Sequence, residues 1–284
     1  LTGGLYPNQP TGEGWTVHAD LFYDGESGGD PVVYAKIGGE DAYYGIEDDV
    51  GRNWGLAMNR NPDAQLITGY ADITSPTTRR IGRFRLPSGL ADGEDLLVLS
   101  AGNVGGTVRR AFVGHHLRFQ AAAPWQYHGL GVKATIFFLQ RSGGGNYTFT
   151  MGGMTDGGHT GQESYHAPKL GFGSRGMSWN VGSDPPLIDG EVFPYNAAVP
   201  PLIERGNWIR WEMYVDMGTS GQNDGVVRMW VNGLLATDYT QVRFPDDATG
   251  VGLYTLPFTW GGGGSQLTQD QFLDFADFLV GHRG

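Results

Sequence analysis

Five side chains able to recognise a sugar recur at alternate positions of two neighbouring stretches: Arg210, Glu212 and Tyr214 in the first, Arg228 and Trp230 in the second. Trp208 precedes Arg210 with the same parity. Aromatic rings stack on the C–H face of a sugar. A guanidinium pairs with the carboxylate of an acidic sugar, and a carboxylate accepts from its hydroxyls. Hydrolysis of a glycosidic bond needs two carboxylates at a set separation, and Glu212 has no evident second member. The plainer reading of the same residues is a solvated sheet face knitted by cross-strand Arg/Glu and aromatic pairs.

The elements that must carry these groups follow from their spacing. Ile209, Trp211, Met213 and Val215 fill the intervening positions of Trp208 to Val215, and Val227, Met229 and Val231 do the same in the next run. Period-2 alternation predicts two strands with one apolar face directed into a core. Asn223-Asp224-Gly225 closes the loop between them, and Asn232-Gly233 ends the second as a type I′ hairpin turn, because both residues tolerate positive φ.

Three further strands carry polar groups of interest. In Phe112 to Gln120, the alternation places His115 and His116 on opposite sides, with Arg118 and Gln120 sharing the side of His116. Each histidine reads first as a hydrogen-bonded structural group. Gly131 to Leu139 is the most apolar run and is expected at the centre of a sheet, with Lys133 and Thr135 as its polar insertions. Gln271 to Val280 is apolar on both sides and reads as an interior strand. Its Asp274 and Asp277 need partners, since an unpaired buried charge is costly. A structural calcium ion or an N-terminal backbone segment would serve, so these two are the candidate metal residues.

Composition sets the class. The chain has 284 residues, 48 of them glycine, with 12% aromatics, and lacks long runs of strong helix formers. Many short strands joined by tight turns are expected, making an all-β jelly-roll sandwich of two antiparallel sheets, one concave. Residues 1–15 read as a Gly/Pro-rich arm and 16–284 as a single domain without repeats or linkers. Between Asp24 and Ser75, acidic and glycine-rich clusters predict loops with only brief strands.

The formal net charge of −11, without a basic cluster, gives neither nucleic acid nor an anionic membrane an electrostatic footing. With no cysteine there is no disulfide, thiolate nucleophile or Cys-ligated zinc. No apolar stretch approaches the ~18 residues of a membrane span. The opening at Leu1 reads as a processed or trimmed product, which leaves room for a removed signal peptide.

Taken together, GNWIRWEMYV, the NDG loop, VVRMWVNG, the glycine run after an aromatic strand and the Asp-bearing last strand resemble the concanavalin A-like lectin/glucanase superfamily. The likeness is strongest to its laminin-G-like and polysaccharide-lyase-like jelly rolls. It runs from about Trp125 to Gly281. The resemblance implies a ligand groove on the concave sheet, lined by Arg210, Glu212, Tyr214, Arg228 and Trp230, with His116, Arg118, Gln120 and Lys133 from adjoining strands.

The glucanase pattern Glu-x-Asp-x-(x)-Glu is missing, and Gln126-Tyr127-His128 only grazes one alginate-lyase motif. The leading expectation is therefore a binding module for a polysaccharide or glycan, extracellular or surface-associated. Next comes a structural jelly roll of a virion or surface assembly, with the arm docking on neighbouring copies in a homo-oligomer. Third is a polysaccharide lyase. There Arg210, Arg228 or Gln120 would neutralise a uronate carboxylate, and Tyr214 or His116 would remove the α-proton.

Overall fold

The computed structural model describes residues 6–21, 32–35, 42–47, 53–58, 65–71, 80–89, 95–101, 108–120, 132–144, 146–154, 168–171, 180–181, 192–193, 206–260 and 266–283. Among these residues every regular element is a β-strand. In chain order they are β1 (Thr16–Leu21), β2 (Val32–Ala35), β3 (Ala42–Glu47), β4 (Asn53–Met58), β5 (Gln65–Ala71), β6 (Arg80–Leu86), β7 (Asp95–Ala101), β8 (Arg110–Phe119) and β9 (Val132–Arg141). There follow β10 (Asn146–Met154), β11 (Pro168–Gly171), β12 (Asn180–Val181), β13 (Val192–Phe193), β14 (Ile209–Asp216), β15 (Gly225–Val231), β16 (Leu234–Arg243), β17 (Ala248–Trp260) and β18 (Gln271–Arg283).

The strands form two antiparallel sheets. One has the order β12-β16-β15-β14-β8-β18-β6-β5-β2, and the other β13-β11-β10-β9-β17-β7-β4-β3. Strand β1 joins the first sheet by pairing with β18. The long β18 runs beside β8 along one edge, while its other edge is shared by β6 near its start and β1 near its end. The chain is thus a jelly-roll β-sandwich, as its glycine content and short apolar runs predict.

Alternation sorts the two faces of the first sheet. Ile209, Trp211, Met213 and Val215 of β14, and Val227, Met229 and Val231 of β15, are all buried in the core. Their neighbours on β8, Val113, His115 and Leu117, share that side. Inside the core the His115 ring lies nearly parallel to the Trp211 indole, with centroids 6.3 Å apart. The two-residue turn at Asn232-Gly233 has φ of 51° and 84°, the signature of the type I′ hairpin read from the sequence.

Two expectations change. The acidic run around AYYGIE, expected as loop with at most a brief strand, contains the six-residue edge strand β3, paired along one side with β4. Strand β9 is interior in its sheet, between β10 and β17, but that is the second sheet. Lys133 therefore cannot line a face built by β8, β14 and β15, and its side chain lies outside the described residues.

Candidate functional site

The register of the first sheet lays the outward residues in rows. Tyr214 stands between Phe112 of β8 and Arg228 of β15, Glu212 between Gly114 and Trp230, and Arg210 beside His116. Further along, Asp274 of β18 lies between Arg118 of β8 and Arg83 of β6. Four strands thus deliver most of the residues singled out in the sequence to one face, and β6 adds Arg83. They do not stand open together, because the N-terminal arm lies across the middle of it.

Tyr6 is almost wholly buried, at 1% exposure, in an apolar cluster with Phe112 and Leu279. Its ring sits directly over Gly114, where a Cβ would come within 2.5 Å of Tyr6 Cε2. Only glycine leaves room for the ring at this point of β8. The ring also stacks on His116, with centroids 5.5 Å apart and planes inclined by 30°. Its hydroxyl donates to the Asp277 carbonyl oxygen and lies 3.4 Å from His116 Nδ1. Burial, and then the nearby charges of Asp277 and Glu212, push the phenol well above its ordinary pKa, so it stays protonated.

Two residues on, Asn8 clasps Glu212. Its backbone N–H donates to Oε2 at 2.8 Å and its side-chain amide to Oε1 at 3.2 Å. Glu212 is completely buried, and Arg210 Nε pairs with its Oε1 at 3.0 Å. The carboxylate expected to face a ligand is instead consumed by the arm and by its neighbour on β14. A buried carboxylate requires such partners, because removing it from water without them costs several kcal/mol.

Asp277, whose carbonyl receives the Tyr6 hydroxyl, is placed by a β-bulge. Between Ala276 and Leu279 the register of β18 against β8 shifts, and Asp277 takes φ of 52°. Left-handed backbone is uncommon for a residue other than glycine, though Asp tolerates it better than most. Regular alternation would send Asp277 into the core. The bulge turns it outward, so that Oδ2 lies 3.2 Å from His116 Nδ1.

Beside the arm a cleft of about 390 Å³ opens, lined by Asn8, Pro10, Trp15, Arg110, Tyr214, Asp216, Arg228, Trp230 and Arg283. Trp15 and Tyr214 meet with ring centroids 6.2 Å apart. Arg110 Nε donates to Asp216 Oδ2 at 2.8 Å, and the Tyr214 hydroxyl reaches the same oxygen at 3.4 Å. Partial burial and the Asp216 charge raise the Tyr214 pKa, opposed by Arg110 and Arg228. Arg228 is held by Asp238 at 2.8 Å. Arg283 is exposed and has no carboxylate partner among the described residues. The lining thus combines three aromatic rings with three guanidiniums and one carboxylate.

The remaining expected site residues serve the sheet. Arg118 and Arg83 both bind Asp274, at 2.5 Å and 2.6 Å, and the Arg118 guanidinium lies 4.7 Å above the centre of the Trp208 ring. Asp274 therefore has two cationic partners, and Asp277 has the His116 imidazole beside it. No cluster of three or more His, Cys, Asp or Glu side chains gathers among the described residues. Gln120 Oε1 accepts the Phe272 N–H at 3.0 Å, continuing the ladder past the end of β8. Gln126-Tyr127-His128 lies outside the described residues.

Tyr6, Asn8, Trp15, Arg110, Asp216 and Arg283 enter the site without having been singled out. Asp216 and Arg110 continue the outward parity of β14 and β8 by one step, a signal that was present. The arm residues carry none, since their partners lie about a hundred to nearly three hundred positions further along.

No protein-family model matches the chain, and no curated protein matches it in sequence. Among solved structures, the alginate lyase vAL-1 from Chlorella virus superposes with a TM-score of 0.53 and 13% identity, covering 82% of this chain and 93% of that one. A variant of the alginate lyase Aly36B, solved with an alginate trisaccharide, gives a TM-score of 0.52 and 16% identity, covering 88% and 97%. At these identities the likeness establishes the jelly-roll fold.

Proposed function

We propose that the chain is a carbohydrate-binding jelly roll of the concanavalin A-like kind, whose cleft beside the arm takes an acidic polysaccharide. One observation carries this reading: Trp15, Tyr214 and Trp230 share a single cleft with Arg110, Arg228 and Arg283. The rings offer apolar faces to a sugar. The guanidiniums exceed the carboxylates there, in a molecule whose overall charge is −11. A surface or extracellular setting, where such polymers occur, suits the proposal.

Calorimetric titration with neutral and uronate oligosaccharides tests it. The uronate series is expected to bind, with Trp230→Ala weakening it tenfold or more, the equivalent of about 1.4 kcal/mol. Arg283→Ala is expected to erase the preference for uronates over neutral sugars. Absence of binding, or an unchanged affinity in Trp230→Ala, would refute the reading.

The fold likeness to alginate lyases and the His116–Asp277 pair favour a second reading, β-elimination on a uronate polymer. Its base would be Tyr214 or His116. The Tyr214 phenol is pushed away from the phenolate form, and His116 lies beneath the Tyr6 ring, so binding without chemistry is favoured. Ultraviolet absorbance of an unsaturated product decides between them; silence across uronate polymers eliminates the lyase.

A further inference from the structure

The arm fills a cup that has the attributes of a ring-binding subsite. Its floor is the bare backbone at Gly114, its walls are Phe112 and Leu279, and its rim carries His116, Glu212 and the Asp277 carbonyl. A six-membered aromatic ring occupies it, with its hydroxyl on a carbonyl oxygen and two N–H groups from the same segment on the Glu212 carboxylate. Each of these contacts is one a pyranose makes with a protein: an apolar ring face on a flat surface, and hydroxyl donors on carbonyl and carboxylate oxygens.

The cup is also continuous with the cleft. Asn8, which clasps Glu212, is itself part of the cleft wall. Tyr214 lines the cleft and packs against the apolar cluster that holds Tyr6. A polymer lying in the cleft and extending along β14 towards Arg210 would meet Asn8 first and Tyr6 next.

We propose that Tyr6 and Asn8 are an intramolecular occupant of a second sugar subsite, which a long oligosaccharide opens by displacing them and a short one leaves closed. The ligand class rests on the saccharide reading of the cleft, whereas the filling of the adjoining cup by Tyr6 rests on contacts outside the cleft lining. In the arm-bound state the Asn8 N–H is held by Glu212. When a pyranose takes the cup, its hydroxyls replace the Asn8 N–H groups on Glu212 and the Tyr6 hydroxyl on the Asp277 carbonyl. No covalent step is involved.

Hydrogen exchange at the Asn8 amide, read with the full chain and uronate oligomers of two and six units, reports the displacement. The six-unit oligomer is expected to speed that exchange tenfold or more, and the two-unit oligomer to leave it unchanged. Tyr6→Ala should bind the six-unit oligomer at least tenfold more tightly than the wild type, with the two-unit affinity unaltered. Asn8→Ala, which keeps the ring and removes the side-chain half of the clasp, should shift affinity the same way by a smaller factor.

The Tyr side-chain analogue p-cresol asks about the cup alone. It should bind saturably to Tyr6→Ala and not to the wild type. Unchanged Asn8 exchange with the long oligomer bound, unchanged long-oligomer affinity in both variants, or no p-cresol binding to a folded Tyr6→Ala would each overturn the proposal. Long-oligomer binding to Tyr6→Ala that survives Trp230→Ala would instead remove the cleft reading and leave the cup standing.

Discussion

His115 is a side chain whose environment changes its chemistry. It lies in the core against Trp211, and desolvation, followed by repulsion from His116, lowers its pKa to about 3. The folded value is therefore depressed below the unfolded one, near 6.5. Below that point the unfolded chain binds a proton that the folded chain does not. Stability is full above roughly pH 6.5 and falls as the pH drops towards 3, by at most about 1.4 kcal/mol per unit. Urea unfolding of wild type and His115→Leu at pH 7 and pH 4.5 should show a smaller acid loss in the variant. Equal losses would assign the acid sensitivity elsewhere. His116, one residue away, belongs to another environment altogether, with Tyr6 above it and Asp277 beside it.

At the level of strands, the hairpin of β15 and β16 depends on its two-residue turn. Gly233 has φ of 84°, and a Cβ there would lie 2.8 Å from Arg210 Nη2. Gly233→Ala is expected to cost about 1–3 kcal/mol, measured as a lowered urea midpoint at unchanged slope. Asn232 adds a tie, since its Oδ1 accepts the Arg210 N–H and its own N–H donates to the Arg210 carbonyl. Much of this level was legible from residue types. Inward Trp211 and Met213, outward Tyr214 and Arg228, and the Asn232-Gly233 turn all follow from period-2 alternation and positive-φ preference. The bulge at Asp277 was not legible, because a left-handed Asp within an apolar strand has no local signature and its stabilising contact comes from Tyr6. Glu212 carried the right parity for an outward face, yet parity says nothing of what lies on top. Lys133 failed for a related reason: alternation assigns a face, and only strand order assigns a sheet.

For the molecule as a whole, the cleft guanidiniums stand against a net charge of −11. Exposed charges interact over about 8–10 Å at ordinary ionic strength, so Arg283 and Arg228 act locally while the remaining surface repels a polyanion. Affinity for a uronate oligomer should therefore drop several-fold between 50 mM and 500 mM salt, and that for a neutral oligomer should stay level. Calorimetry at both salt concentrations checks this, and equal behaviour of the two ligands would mean that the arginines contribute shape alone. The arm belongs to this scale too, since it joins the first described residues to the last strand. Beyond Trp15 the chain enters β1, which is hydrogen-bonded to the end of β18, and Gly14 rests against Arg283.

That anchorage puts Tyr6 on a leash of some ten residues, with a reach of roughly 35 Å when fully stretched. A released arm stays at millimolar local concentration over the surface it left, however dilute the protein. On the proposed reading, an incoming sugar chain would contend with a rival that dilution cannot wash away. That handicap would be a fixed factor written into the molecule, altered by shortening the tether, loosening its root at β1, or changing Tyr6 and Asn8 themselves.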